Sequence, residues 1–191
     1  MCTSTIAFAQ VKDSVQANTY LRDAQQLLDT LDYAAAIQLS KEALVFYQNS
    51  KENTPKIVVA YALLGDASRE QGQYDEALKN YQTAKTNFLQ NYGPQHAAIA
   101  QANNDIGLCH WKKGAIQEAI LFFETALKER IALFGEQHQK VADSYNNLGN
   151  CAFDRRDLNN ARSFYEQALA IRLALLAVSY THLTLPTILL V

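Results

Sequence analysis

The sequence predicts an all-α fold made of four helical hairpins stacked side by side. Helix breakers are scarce, since 191 residues contain only seven glycines and three prolines. One motif recurs along the chain at a constant step, as in repeat proteins. Apolar and small residues in each copy fall at helical spacing, in two segments separated by a turn. A single hairpin cannot bury its apolar face alone, so the copies are expected to stack.

The repeat is defined by four motif positions that recur every 42 residues in three copies. These positions are a glycine, an alanine, an aromatic residue and a second alanine: Gly65, Gly107 and Gly149; Ala77, Ala119 and Ala161; Tyr81, Phe123 and Tyr165; Ala84, Ala126 and Ala168. A weaker first copy aligns Ala36 and Ala43 at a step of 41 and carries Ala24 in place of the glycine. Four hairpins are therefore predicted.

The chain divides into the following predicted segments. A lead covers 1–9, repeat 1 covers 10–50, repeat 2 covers 51–92, repeat 3 covers 93–134, repeat 4 covers 135–176, and a tail covers 177–191. Helices are predicted at 11–29, 33–49, 55–71, 74–91, 96–113, 116–134, 138–155 and 158–176.

The turns inside the hairpins differ between copies. Gly72 and Gly114 are expected to end the first helix, since glycine adopts the left-handed conformation that this position favours. Leu31 and Arg156 occupy the same position in repeats 1 and 4, where a side chain makes that conformation costly. The aspartates that follow them, at 32 and 157, are predicted to cap the second helix.

These residues resemble the tetratricopeptide repeat, in which Leu-Gly in helix A is followed by a Gly-x-Tyr turn and by alanine, aromatic and alanine along helix B. The 42-residue step and the linkers with Gly-x-x-His resemble the longer kinesin-light-chain-like subclass. The resemblance covers roughly Ala17 to Leu176. It implies a right-handed superhelical solenoid that binds a protein or peptide ligand, without cofactor, on the concave face lined by helices A. Bacterial chains of this subclass often carry a caspase-like peptidase domain of the CHAT type, or a signalling kinase, further along.

The candidate binding residues are those beside the Leu-Gly pair of each helix A. They comprise Asp66, Arg69, Asn104, Leu108, Trp111, Lys112, Asn146, Asn150 and Phe153. Asparagine both donates and accepts hydrogen bonds, so a row of asparagines can hold an extended peptide backbone, and Trp111 and Phe153 offer apolar anchors. The alternatives are that the asparagines only satisfy helix ends or solvent, and that the array is an architectural spacer or self-association arm.

Other functions receive little support from the sequence. A net charge of −2 without a lysine or arginine cluster argues against nucleic acid. Cys109 and Cys151 occupy equivalent repeat positions and are expected to pack in the core rather than pair. His96 and His138 recur in the linkers, so a turn role, capping the next helix A, is expected rather than a metal site. No spacing joins serine, histidine and acidic residues into a catalytic motif, so no enzyme activity is expected.

Both chain ends depart from the pattern. The segment AVSYTHLTLPT within 177–191 resembles a translated sequencing adapter and is interpreted as non-native. With no polar helix predicted after repeat 4, the C-terminal end is a candidate self-association surface. The tail carries polar residues and is a poor membrane span, so no membrane association is expected. Ala7-Phe8-Ala9 resembles the end of a bacterial secretory signal, so residues 1–9 are either a remnant of such a signal or a disordered lead. The first alternative slightly favours an extracytoplasmic over a cytoplasmic location.

Overall fold

The computed structural model describes residues 13–50 and 54–184, with side chains described to residue 177. This part of the chain is all-α. Its eight helices are α1 (Ser14–Asp29), α2 (Tyr33–Ser50), α3 (Thr54–Glu70), α4 (Tyr74–Tyr92), α5 (Ala97–Lys112), α6 (Ile116–Phe134), α7 (Gln139–Asp154) and α8 (Leu158–Thr184). They form four hairpins, α1–α2, α3–α4, α5–α6 and α7–α8, as the repeat predicts.

The helix ends agree with the predicted ends to within one residue at most positions. The exceptions are α1, which begins three residues late, and α8, which was predicted to end at 176 and continues to Thr184. The prediction for α8 was wrong because nothing between 177 and 184 breaks a helix, and the next proline is Pro186. The lead at 1–9, with its export motif, and residues 185–191 lie outside the described residues.

The chain separates into two compact units, Met1–Asn91 and Tyr92–Val191. The first unit contains hairpins α1–α2 and α3–α4, and the second contains α5–α6 and α7–α8. Each unit is therefore a pair of hairpins with its own buried residues.

The four hairpin turns share one backbone geometry. Gly72 and Gly114 have φ angles of 75° and 78°, and Leu31 and Arg156 have φ angles of 65° and 63°. In repeat 4, for example, the amide of Arg156 donates to the carbonyl of Phe153, and the amide of Asp157 donates to that of Ala152. The prediction of strained turns in repeats 1 and 4 is confirmed, since both place a side chain in the left-handed region.

The aspartate after each strained turn caps the following helix, as predicted. Asp32 accepts from the amide of Ala35 at 3.2 Å, and Asp157 accepts from the amide of Asn160 at 3.3 Å. Polar side chains thus begin the second helix where the turn itself is strained.

Each helix-A glycine lies under the aromatic ring of its own helix B. A Cβ added to Gly107 would be 2.7 Å from Cε1 of Phe123, and one added to Gly65 would be 2.5 Å from Cε1 of Tyr81. These distances are shorter than real Cβ contacts, so a larger residue would force the aromatic ring to shift. Phe123 also packs in a cluster with Leu148 of α7, so the same ring contacts the next hairpin as well.

The linker histidines cap the next helix A in the second unit. Nδ1 of His96 accepts from the amide of Ala98, and Nδ1 of His138 accepts from the amide of Lys140, both at 3.1 Å. The ring of His138 also stacks on Phe134 with centroids 4.4 Å apart. The structural role predicted for both histidines is confirmed.

Cys109 and Cys151 form no disulfide bond, and both are fully buried, as the sequence predicts for small core residues.

Candidate functional site

The candidate residues divide between the two units, and each unit is considered by itself. In the first unit, Asp66 and Arg69 lie together on α3. The Tyr81 hydroxyl donates to the Asp66 carboxylate at 2.6 Å, and Arg69 donates to the same hydroxyl at 3.3 Å and pairs with Glu70 at 2.7 Å. Burial raises the pKa of Asp66 above its usual value, although the Tyr81 hydrogen bond opposes the rise. Both candidate side chains are thus engaged within their own hairpin.

The position of Asp66 shows a matched pattern in repeats 3 and 4. Asn150, equivalent to Asp66, accepts from the Tyr165 hydroxyl at 2.8 Å. Leu108 stands at this position in repeat 3, where helix B carries Phe123, which has no hydroxyl. An acceptor is therefore present where the ring has a hydroxyl, and an apolar residue where it has none. Packing within the hairpin therefore accounts for the residue type at this position before any role in ligand binding is considered.

The Asn104 side chain is not exposed, as it would have to be in the predicted row of peptide-binding asparagines. Its side chain is only 6% exposed, its Oδ1 accepts from Asn147 at 3.0 Å, and its Nδ2 donates to Asp105 at 3.2 Å. The prediction that Asn104 lines a surface strip was wrong, because Asn147 from the next helix A lies across from it. The hydrogen bond joins α5 to α7.

Among the candidate asparagines, Asn146 keeps its whole side-chain amide available to bind a ligand. It is half-buried on α7, and its amide makes no hydrogen bond with other side chains in the described part of the chain. Asn150 lies one turn further along the same face and offers its amide nitrogen beside the bond to Tyr165.

Aromatic side chains mark the other end of this face. Trp111 is half-buried, its indole N–H donates to the Asp154 carboxylate of α7 at 2.6 Å, and the Lys112 ammonium lies 4.9 Å from its ring centroid. Phe153, at the equivalent position in repeat 4, is 57% exposed. An oriented indole and an exposed phenyl ring therefore lie near the C-terminal ends of α5 and α7.

A buried arginine that sequence reasoning missed connects three helices of this unit. Arg130 of α6 is 3% exposed and donates to the Lys140 carbonyl, the Ser144 hydroxyl and Gln101 Oε1 at 3.0, 2.8 and 3.2 Å. Its Nε is buried without a partner, and burial lowers its pKa. Arg130 thus fixes α5 and α7 relative to each other.

The repeat contained a signal for this connection. Arg172 lies 42 residues after Arg130, and Asp143 lies 42 residues after Gln101. Arg172 donates to Asp143 at 3.1 Å, so the pairing recurs in repeat 4 with a carboxylate as acceptor. The recurrence of an arginine and of a hydrogen-bond acceptor at the same repeat step could have identified the pair.

Other kinds of site have no support from the described residues. Among them, no group of three or more histidine, cysteine, aspartate or glutamate side chains is placed to hold a metal ion. No helix in the described ranges is long and apolar enough to cross a membrane.

The fold is shared with solved structures at low sequence identity. BtubC (BKLC) from P. vanneervenii matches with 24% identity and a TM-score of 0.69, over 84% of this chain and 72% of that one. A putative kinesin light chain from Podospora anserina with nearly identical TPR-like repeats matches with 14% identity and a TM-score of 0.71, over 86% and 78%. A Rap protein complexed with Competence and Sporulation Factor matches with 17% identity and a TM-score of 0.74; 84% of this chain spans 44% of that protein.

No curated protein sequence matches the chain. A family model, described as tetratricopeptide repeat, matches residues 56–130 and 122–174. The matched ranges cover most of repeats 2 to 4, and only the divergent first repeat lies wholly outside them. The chain belongs to the tetratricopeptide repeat family.

Proposed function

We propose that the second unit binds an extended segment of a partner protein on the exposed side of α5 and α7. The contacting residues would be Asn146 and Asn150 on α7, with Trp111 and Phe153 as apolar anchors. Asn104 and Asn147 would hold the two helices in register without touching the ligand. The chain would act as an interaction scaffold and not as an enzyme.

The observation that supports this proposal most strongly is the fixed position of Trp111. Its indole is held at the N–H by Asp154 and lies beneath the Lys112 ammonium. A side chain that is already ordered loses little conformational entropy when a ligand packs against it. Tryptophan is also enriched among residues that dominate binding energy.

The asparagines supply the complementary polar contacts. An extended peptide exposes an amide and a carbonyl at each residue, and the Asn146 side chain can donate to one and accept from the other. The Rap protein that shares this fold was solved with Competence and Sporulation Factor bound. That protein is 17% identical to this chain, so the likeness supports the fold and only suggests the mode of binding.

The test is a display library of random peptides selected against the full chain, followed by titration of the selected peptides. Trp111→Ala should weaken binding by about 2 kcal/mol and Asn146→Ala by about 1 kcal/mol. Leu121→Ala and Asn159→Ala are matched controls, since both residues are exposed on helices B away from this face. Peptides that bind Trp111→Ala and Asn146→Ala as tightly as the natural chain would rule out this face as the site.

The alternative is an architectural arm that associates with a second copy through its C-terminal end. One observation favours it, because Leu169 and Leu173 on α8 are 55% and 56% exposed. Sedimentation velocity over a range of concentrations tests it directly. A dimer that Leu173→Asp dissociates would support the arm, and a monomer at all concentrations would exclude it.

A further inference from the structure

A cavity of about 220 Å³ opens in the second unit between α6 and α8, beside the C-terminal end of α7. Both apolar and charged side chains line it, and those that decide its chemistry are Ile120, Glu124, Ala152, Arg155, Asp157 and Phe164. None of them belongs to the proposed peptide-binding face. The cavity is therefore a separate candidate site.

Two departures from the repeat meet in this cavity, and the first is a missing ring. In repeat 3, His110 of α5 stacks on Phe122 of α6, with ring centroids 5.4 Å apart and planes 7° from parallel. The same two positions in repeat 4 hold Ala152 and Phe164, both of which line the cavity. A methyl group thus stands where repeat 3 has an imidazole. The space that a planar ring fills in repeat 3 is left to the cavity in repeat 4.

The second departure is an unpaired carboxylate. In repeat 4, Glu166 pairs with Arg162 one turn earlier, at 2.7 Å. The same two positions in repeat 3 hold Glu124 and Ile120, so the basic partner is replaced by an apolar residue. Glu124 is exposed and makes no hydrogen bond or ion pair in the part of the chain that the structure describes. Its negative charge is therefore not compensated at the edge of the cavity.

The charges of the lining favour a ligand with a single positive charge. Glu124 and Asp157 supply two carboxylates against the one guanidinium of Arg155, so the net charge of the lining is negative. Asp157 already accepts from the backbone amide of Asn160 at 3.3 Å and from its side-chain amide at 2.6 Å. Glu124 is thus the carboxylate that can pair with a cation, whereas Arg155 repels a second positive charge.

We propose that this cavity binds a small aromatic amine, which is a planar ring joined by a short chain to a primary ammonium. The ring packs against Phe164 in the space that His110 takes in the preceding repeat, where offset stacking of two rings is favourable. The ammonium pairs with the Glu124 carboxylate. Sites for drug-sized ligands span about 300–1,000 Å³, so this cavity suits a smaller molecule of this kind.

The test is an NMR titration of the full isotope-labelled chain with phenethylamine, followed through the backbone amide shifts. Saturable shifts should centre on the residues of the cavity, with a Kd of about 1 mM for so small a ligand. Phenethyl alcohol keeps the ring without the charge and should bind about threefold more weakly. Butylamine keeps the charge without the ring and should bind about tenfold more weakly.

Two variants of the chain test the two departures from the repeat. Ala152→His restores the ring that repeat 3 carries, so it should fill the cavity and weaken binding about tenfold or more. Glu124→Gln keeps the shape of the side chain and removes its charge. Because this carboxylate is exposed, the loss should be about threefold at low ionic strength and smaller in high salt.

Glu118→Gln is the matched control for the second variant. Glu118 is also exposed on α6 and unpaired among the described residues, but it does not line the cavity, so this variant should bind as the natural chain does. Circular dichroism melts check that Ala152→His is folded, and the exposed Glu124→Gln tests the site independently of that result.

Several outcomes would overturn the proposal. They are the absence of saturable shifts, shifts that centre outside the cavity, and Ala152→His or Glu124→Gln binding phenethylamine as tightly as the natural chain. Tighter binding of phenylalanine than of phenethylamine would also overturn it. Arg155 would then hold a carboxylate, and the ligand would be an amino acid rather than an amine.

Discussion

Replacing Gly107 with alanine tests the contact that joins helix A to helix B in repeat 3. The added Cβ would lie 2.7 Å from Cε1 and 2.8 Å from Cδ1 of Phe123. The phenyl ring is only 1% exposed and packs in a cluster with Leu148 and Cys151 of α7, so it cannot move away freely. Overpacking of this kind costs about 1–3 kcal/mol.

A second effect of the same substitution has the opposite sign. Alanine in a helix interior is favoured over glycine by about 1 kcal/mol. Gly107→Ala should therefore lower the free energy of unfolding by up to about 2 kcal/mol, the overpacking cost less the gain in helix propensity. For a chain of this size each kcal/mol lowers the melting temperature by about 2–4 °C.

A double-mutant cycle with Phe123→Leu isolates the contact. In the Phe123→Leu background the ring is absent, so Gly107→Ala should become neutral or stabilise the chain by up to about 1 kcal/mol. Urea unfolding followed by circular dichroism measures all four variants. Equal destabilisation by Gly107→Ala in both backgrounds would refute the role given to the ring.

Further predictions concern the turns, the caps, the thiol and the tail. Arg156→Gly should stabilise the chain by about 0.5–1 kcal/mol in thermal melts, because it relieves a left-handed residue with φ of 63°; a lower melting temperature would contradict this. His138→Ala should cost about 1 kcal/mol and His138→Asn much less, since asparagine can also accept from the capped amide; equal losses would argue against the cap. Burial raises the pKa of the Cys151 thiol to about 11. The unfolded chain therefore loses this proton first, so stability should fall as pH rises from about 9 to 11. Cys151→Ala should flatten that part of the pH profile, and an unchanged profile would exclude the thiol as its cause. Removal of residues 177–191 should leave the melting temperature nearly unchanged, whereas unfolding on truncation would show the segment to be part of the fold.

Much of the architecture was predictable from local sequence. The constant step locates the hairpins, and a glycine or strained residue with a following aspartate locates each turn, because backbone conformation and capping depend on near neighbours in the chain. The end of α8 was missed because resemblance to an adapter says nothing about helix propensity. Without a glycine or proline before Pro186, the helix continues to Thr184.

The presentation of the candidate site was decided by tertiary structure. Helical spacing predicts that Asn104 and Asn146 occupy equivalent positions of α5 and α7. It does not predict which residue lies opposite each side chain. Asn104 meets Asn147, 43 residues later, and is buried. Asn150 is bonded to Tyr165, 15 residues later, whereas Asn146 remains available. Equivalent sequence positions therefore differ in accessibility, because the partner that satisfies a buried polar group comes from another helix and must be located in three dimensions.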